Sequence, residues 1–486
     1  MGVIIMVQGI DQFVEDIMVD YKRLLTSLVR VPSISQTLKI SERPEDEEIN
    51  KVHRAINEQR LSDLDRVVGM VAETARWAGF TTQTITSIPG LPSPVLVTKM
   101  EVDPSAPWLM VYNHLDVQPV DPSEWNIENP FEPVDTGEYL LGRGATDDKG
   151  PMLATLLPFK HLRDTGQLKV NVIGVYETQE ENGSGGFEAA LRYGLEQGLI
   201  SVPDSILASD TIFEGDNPSL TCSLRGLITA TVSLQTADQV VHSGLGGGKV
   251  MNPLNVLLSA LGNCYNPITG KVTFHGIEEG VTEPGGRALE EFLRVAAVFD
   301  QIKYLQDLGV GQTYSVSGAA GILNSLWHQP SFEIHDVRRK GEAGTKIPYQ
   351  AEADISLRLV GKQDPAKVVE YLAAHLKKLH PDIKLNVEHL LHPVETQIDN
   401  LFMDFAAAAC EYGYERKPAY VGGSGSIGAF SATQKLFPQT PTVMIAMSKA
   451  SDGYHAPNEK FEWEQARRGM KTMAAYVKSI GELRTK

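Results

Sequence analysis

Cysteine is scarce. Cys222, Cys264 and Cys410 are the only three in 486 residues, and they lie far apart with no metal-spaced pair. An odd, sparse set argues against a disulfide framework and fits a reducing cytoplasm. Long apolar runs are missing too, so no segment is expected to span a bilayer. Positive charge is in deficit: 44 Lys and Arg stand against 61 Asp and Glu, a formal net charge of -17. A phosphate backbone would be repelled on average, so nucleic acid is not an expected partner. The acidity does not require a cationic substrate, because solvated surface accounts for most of it. Met1 to Gly9 has a short apolar run but no basic n-region and no cleavage-type site. It reads as a mature cytoplasmic start. There is no internal repeat and no low-complexity segment.

What is present is ordinary globular material, 42% hydrophobic and 22% charged. The length exceeds one typical core, so two domains are expected. Asp11 to Val31 has helical periodicity through Phe13, Ile17, Tyr21, Leu24, Leu25 and Leu28, and Pro32 stops it. Ser33 to Arg60 is polar and charged, including Glu45 to Glu48, and reads as a surface excursion; Leu61 to Ala78 reads as a second amphipathic helix. Short continuous apolar runs follow at Val95–Thr98, Trp108–Tyr112, Val170–Tyr176, Ile206–Ala208 and Thr442–Met447. Continuous apolarity suggests strands covered on both faces. Helical patterns at Pro151–Arg163 and Phe187–Gln197 lie between some of them, which indicates an α/β sheet.

After Arg225 the texture changes. Leu227–Leu234 alternates like a half-exposed strand, a helix is expected at Pro253–Leu261 and a strand at Lys271–Phe274. Further strands are expected at Ala353–Val360 and Ile383–Val387, with a helix opened by Asp364-Pro365 between them. Residues 225–393 therefore read as a smaller α+β insertion. The chain returns to the first domain, 1–224 and 394–486, through an Ala406–Cys410 helix and the Thr442–Met447 strand.

Chemistry gathers where the core strands end. Trp108–Tyr112 runs into Asn113-His114-Leu115-Asp116, and Val170–Tyr176 runs into Glu177-Thr178-Gln179-Glu180-Glu181. Ile206–Ala208 runs into Ser209-Asp210, and Thr442–Met447 leads to Asp452-Gly453-Tyr454-His455. A fifth segment, Gly142 to Gly150 with Asp147-Asp148, immediately precedes a helix. In open α/β sheets ligand sites form outside the carboxyl ends of the strands. So many acids in one crevice repel one another unless cations neutralise them. Mixed His and carboxylate ligation suits zinc, manganese or cobalt. Each piece alone has a plainer explanation: a His-x-Asp pair on the surface, a solvated Glu-Glu, a glycine-rich turn. The Gly142 to Gly150 stretch lacks the GKS or GKT ending of a P-loop, so it is not read as a nucleotide site.

Taken together the pieces resemble the dinuclear metallopeptidases that include carnosinase and cytosolic nonspecific dipeptidase. Glutamate carboxypeptidase, succinyl-diaminopimelate desuccinylase, acetylornithine deacetylase and aminoacylase are relatives. The resemblance rests on His114-Leu115-Asp116-Val117, Gly142 to Gly150, Glu180 to Ser184, Ser209-Asp210, His242-Ser243-Gly244, Ser356 to Leu359 and His455, in an order covering nearly the whole chain. It implies a mixed-sheet, zinc-peptidase-like catalytic domain with an inserted ferredoxin-like lid and dimerisation domain. It implies two divalent metal ions per chain, bridged by Asp147. His114 and Asp210 would complete one site, and Glu181 and His455 the other. Asp116 would orient the imidazole of His114, Glu180 would be the general acid/base, and the Asp147–Asp148 peptide would be cis.

The same resemblance gives roles within the insertion. His242 would donate to the substrate carbonyl oxygen and, in dimeric members, reach the partner's active site. Arg358 would bind a substrate carboxylate, with Gly425 and Ser426 offering backbone and hydroxyl donors to it. The expected reaction is hydrolysis of an amide bond in a dipeptide or similar small substrate. The alternative is an N-acyl amino acid deacylase using the same site. Asp147-Asp148-Lys149-Gly150-Pro151 is closer to the dipeptidase and carboxypeptidase branches, since the deacylases favour a methionine after the bridging aspartate. A catalytically silent binding protein on this fold is disfavoured, because all five ligand types and Glu180 are present. Ser33 to Arg60 is longer than in typical members, and the sequence assigns it no role.

Overall fold

The computed structural model describes residues 7–41, 43, 46–315, 318–341, 344–423 and 425–484. Met1 to Met6 of the N-terminal stretch and Glu45 of the acidic run lie outside the described residues. The chain divides into two compact units. One comprises Met1–Cys222, Thr396–Val421 and Ile427–Lys486; the other comprises Ser223–Glu395 and Gly422–Ser426.

The first unit is built on a nine-stranded mixed sheet. At its centre Asn171–Glu177, Trp108–His114, Ser205–Ala208 and Thr442–Ile445 lie side by side, in that order, and all are parallel. Val95–Met100 adds antiparallel on one side and Ser219–Leu224 antiparallel on the other. Trp108–His114 and Asn171–Glu177 are buried almost throughout, which is why their sequences carry no polar alternation. Four parallel strands send their carboxyl ends to one edge, and the loops carrying the acids and imidazoles leave from there. Helices Ile10–Val29, Gly150–Asp164, Leu401–Tyr414 and Trp463–Gly481 pack with one another in this unit.

The second unit holds a four-stranded antiparallel sheet ordered Ser331–Lys340, Gln350–Leu359, Gly226–Gln235, Lys384–Leu391. With helices Pro253–Gly262 and Pro365–Leu379 in chain order, this is the ferredoxin-like arrangement. Leu257, Leu261, Leu372 and Leu376 from the helices pack on Ile228, Val232, Ile355 and Leu357 from the sheet. Both helices start on a side-chain cap followed by proline. Asn252 accepts from the Leu254 amide and Asp364 from the Ala366 amide, each at about the 3 Å of an ordinary hydrogen bond.

Three sequence expectations change. The second helix begins at Glu47 rather than Leu61 and runs 32 residues to Ala78, so half of the supposed excursion is helical. Its added turns bury almost no apolar side chain: Ile49 and Val52 are 55% and 57% exposed. No apolar stripe was there to read. Lys271–Phe274 is not a strand; Val272 makes only an isolated bridge to Tyr265. Its apolar residue Phe274 is buried against the helix layer instead. The segment between Phe274 and Ser331 holds helices Gly286–Ala296, Gln301–Asp307 and Gly318–Trp327, to which no element had been assigned.

Candidate metal centre

The strand-end residues converge. His114 ends its strand, and its Nε2 lies 2.9 Å from Asp147 Oδ1 and 3.8 Å from Asp210 Oδ2. His455 Nε2 lies 2.9 Å from Asp147 Oδ2 and 3.1 Å from Glu181 Oε2. His114, Asp147 and Asp210 thus form one potential ligand set, and Asp147, Glu181 and His455 another. Asp147 belongs to both, with one oxygen turned toward each. The Asp147–Asp148 peptide is cis.

These residues fit a pair of divalent cations. Asp147 Oδ2 is buried and accepts no hydrogen bond, although His455 Nε2 is 2.9 Å away. A buried carboxylate oxygen left in this state is costly unless a cation serves it. Two imidazoles and three carboxylates are also a donor set suited to zinc, manganese or cobalt. His455 has its backbone in the left-handed region, with φ of 56°, and its side chain is half-exposed.

The electrostatics tell the same story. Burial alone would push the Asp147 carboxyl up, but the imidazoles of His114 and His455 beside it outweigh burial and hold the group below the usual carboxylate range. Burial would lower the His455 imidazole, yet Asp147 and Glu181 carry it up to about 11. Glu180 is pushed well above the carboxylate range by burial first, then by the charges of Asp210, Glu181 and Asp116, against the opposing pull of His114. Among the described residues nothing donates a hydrogen bond to the Glu180 carboxylate. A carboxyl group raised and left unpartnered in this way can give and take a proton.

Asp116 does more than face the imidazole. His114 Nδ1 is 3.4 Å from Asp116 Oδ1 and 3.1 Å from its carbonyl oxygen. The same carboxylate accepts the amides of Glu180, at 3.2 Å, and Glu181, at 3.1 Å. It therefore ties the loops of both ligand sets together.

Several supporting residues were invisible in the sequence. Glu459, fully buried, accepts from Arg143 Nη1 at 2.8 Å and from the amides of Gly144, Thr146 and Asp147 at 2.9, 2.8 and 3.0 Å. The loop that presents Asp147 is thus wrapped around a carboxylate four residues beyond His455. Gly144 in that loop has φ of +85°, and a Cβ there would stand 2.6 Å from Val117 Cγ1. Gln118 Nε2 donates to Glu181 Oε2 at 2.6 Å, and the Tyr454 hydroxyl donates to Asp210 Oδ1. Only the last pair was within reach of sequence reasoning, since Tyr454 adjoins His455.

In the second unit Arg358 Nη1 donates to Ser426 Oγ at 2.7 Å, and Ser426 Oγ donates to the Arg225 carbonyl. Gly425 accepts the Arg225 amide at 2.8 Å. Arg225 had been singled out by nothing, yet its guanidinium lies close enough to that of Arg358 to lower its own pKa, after burial, to about 10. His242 is exposed, and its Nδ1 accepts from the Gly244 amide at 3.0 Å. In the neutral ring the proton is then on Nε2.

The chain is 26% identical over 406 residues to a Cys-Gly metallodipeptidase of Schizosaccharomyces pombe, covering 80% of this chain and 83% of that one. It is 28% identical over 401 residues to the human Beta-Ala-His dipeptidase, covering 80% of this chain and 78% of that one. The crystal structure of human carnosine dipeptidase 1 superposes with a TM-score of 0.75 at 25% identity, over 98% of this chain and 99% of that one. Residues 110–479 match the model of peptidase family M20/M25/M40, and the chain belongs to that family.

Proposed function

We propose that the chain is a metal-dependent dipeptidase in which Asp147 bridges two divalent ions. His114 and Asp210 hold one ion, Glu181 and His455 hold the other, and Glu180 moves the proton. The observation that carries this reading is the divided carboxylate of Asp147, with an imidazole 2.9 Å from each oxygen. When bound, the ions lower the pKa of water and stabilise negative charge on the scissile oxygen. The chain supplies the rest. Asp116 orients His114 and the loop of Glu180 and Glu181. Gln118 and Tyr454 donate hydrogen bonds to Glu181 and Asp210 and so orient them. Glu180 takes the proton of the attacking water and delivers it to the leaving amine. Zinc is the first choice of metal, with manganese and cobalt next.

Dipeptides are the favoured substrates because the curated relatives carry the names Cys-Gly and Beta-Ala-His dipeptidase. Arg358, with its guanidinium on Ser426, is the proposed partner of the substrate carboxylate, and Gly425 shapes the same turn. His242, protonated on Nε2, is the proposed donor to the substrate carbonyl oxygen. A homodimer through the second unit is part of this proposal. So is a cytoplasmic location, consistent with three free cysteines, two of them buried. No helix among the described residues is long and apolar enough to cross a membrane.

The test is a substrate panel on the purified enzyme. Cys-Gly, β-Ala-His and neutral dipeptides should be hydrolysed in preference to N-acetyl and N-succinyl amino acids. A chelator should abolish activity, added metal should restore it, and metal analysis should approach two ions per chain. Glu180→Gln should keep both ions and lose ~10²–10⁴-fold in kcat. Glu181→Gln should lose metal instead. Hydrolysis confined to N-acyl amino acids would make the chain a deacylase, and full activity without metal would sink the reading altogether.

A further inference from the structure

The segment 33–41 has almost no regular structure, yet Ser33, Ile34, Gln36, Leu38, Lys39 and Ser41 are all held by hydrogen bonds. At its start the Ser33 carbonyl accepts the Val117 amide at 3.0 Å, and Ser33 Oγ donates to Leu115 O at 2.7 Å. Just before it, buried Lys149 donates to Leu28 O and Val31 O, each at 3.0 Å. In its middle Gln36 Nε2 donates to the carbonyl of Glu181 at 2.9 Å. At its far end it lies along the added turns of the Glu47–Ala78 helix.

That helix grips the strap through one polar stripe. Asn57 accepts the Leu38 amide at 2.8 Å and donates to the Leu38 carbonyl at 3.0 Å. Asn50 does the same for Ser41, at 2.8 Å both ways. His53 Nδ1 donates to Lys39 O at 2.7 Å, and Arg60 donates to Gln36 O. Positions 50, 53, 57 and 60 are spaced three, four and three apart, so they share one helix face. A carboxamide offers one acceptor and two donors, so each Asn stands in for a neighbouring strand. The two lengths also match. Leu38 to Ser41 spans about 10 Å of extended chain. Asn50 to Asn57 spans roughly 10 Å of helix. The match fixes the register of strap on helix, and with it the place of Gln36.

We propose that this strap is a positioning device for the catalytic loop, in which Gln36 holds the Glu181 carbonyl and the Asn50–Arg60 stripe holds Gln36. Asp116 grips the loop by the amides of Glu180 and Glu181, while Gln36 grips it by the carbonyl of Glu181. Between them they fix the backbone from which both carboxylates project. Gln36 is a positioning residue. The role deepens the function proposed above and rests on it, because it matters through Glu180 and Glu181. A misplacement on the order of 1 Å at a reacting group can cost about 10²-fold in rate.

Kinetics and hydrogen exchange decide the matter together. Gln36→Ala should lower kcat roughly 10-fold with KM unchanged and both metals retained. Gln36→Glu, of the same shape without the donor, should fall as far. The double variant Asn50→Ala with Asn57→Ala should show a similar loss, and adding Gln36→Ala to it should cost little more, because residues acting through one path are not additive. The amides of Glu180 and Glu181 should exchange faster in Gln36→Ala and in the double variant. A kcat within twofold of wild type, or losses that multiply, overturns the proposal. Should the wild-type chain hydrolyse no dipeptide, the function above falls by itself. Unchanged exchange at Glu180 and Glu181 in Gln36→Ala would then overturn the strap as well, and faster exchange would uphold it.

Discussion

Glu177 ends the strand that leads to Glu180, and it is buried beside the metal centre without joining it. Its Oε1 accepts from the Tyr112 hydroxyl at 2.7 Å and from Ser184 Oγ at 2.9 Å, while Oε2 has no partner. Burial first, then the charge of Asp116, pushes the group up to about 8, against the pull of those two hydroxyls. The folded state therefore holds a proton that the unfolded chain releases near its ordinary value of 4.5. The stability Glu177 contributes is full below that value and is lost as pH rises toward about 8. Gln has the shape of the protonated acid and does not titrate. With metal present, the melting temperature of Glu177→Gln relative to wild type should rise from about pH 5 to about pH 9. A difference independent of pH would show that Glu177 is ionised throughout.

Among the structural elements, the loops of Asp147 and His455 are joined at Glu459. Glu459→Ala would leave Arg143 buried without its partner and strand three amides. Breaking a buried pair from one side costs about 3–5 kcal/mol. The variant should melt well below wild type in calorimetry. Its metal affinity should fall too, because the amide of Asp147 is among the three. Four of the five proposed ligands, His114, Glu181, Asp210 and His455, were legible because each comes after a continuous apolar strand, and strand ends point to a common edge; Asp147 stood apart, in the glycine-rich segment that precedes a helix. Glu459 was not legible, since its contacts with Gly144 and Thr146 span more than 300 positions in sequence, as the separations of 315 and 313 attest. The early turns of the Glu47–Ala78 helix failed for another reason: Asn50, His53, Asn57 and Arg60 face a backbone, so no apolar period marks them. The helix Trp463–Gly481 also went unassigned, although buried Met470, Met473, Ala474 and Val477 give it a core face. The half-exposed strand Gly226–Gln235 was plain from its alternation, which the structure repeats residue by residue in its burial.

For the whole molecule the open matter is whether one chain suffices. The second unit exposes Leu245 at 87%, Ile268 at 70% and Val298 at 71%, together with Met251 and Leu258 at 47% and 48%. These side chains are available to the homodimer proposed above. The proposed dimer supplies an occupant, and His242, two residues before Gly244, would then serve its partner. Mixing His242→Ala with Glu180→Gln tests this, each being inactive alone. Once the subunits exchange, a heterodimer would pair intact Glu180 with intact His242 in one of its two sites, and activity should partly return. Demonstrated exchange with no recovery would confine His242 to its own chain.

The strand Thr442–Ile445 sits between Ser205–Ala208 and Ser219–Leu224 in the sheet, although the entire second unit is interposed in the chain before it. A ribosome making this protein therefore leaves the first sheet with a gap at its centre until very late. His114, Asp147, Glu181 and Asp210 emerge early, as a group of acids and one imidazole with nothing to close them. Domains generally fold as units during synthesis, but this one waits for its last quarter. His455 and Glu459 follow the closing strand, so the proposed metal centre cannot be complete before that strand is made, and the Trp463–Gly481 helix that packs on Leu401–Tyr414 comes later still. A nascent chain that stops short of this strand therefore lacks His455, one of the five proposed ligands.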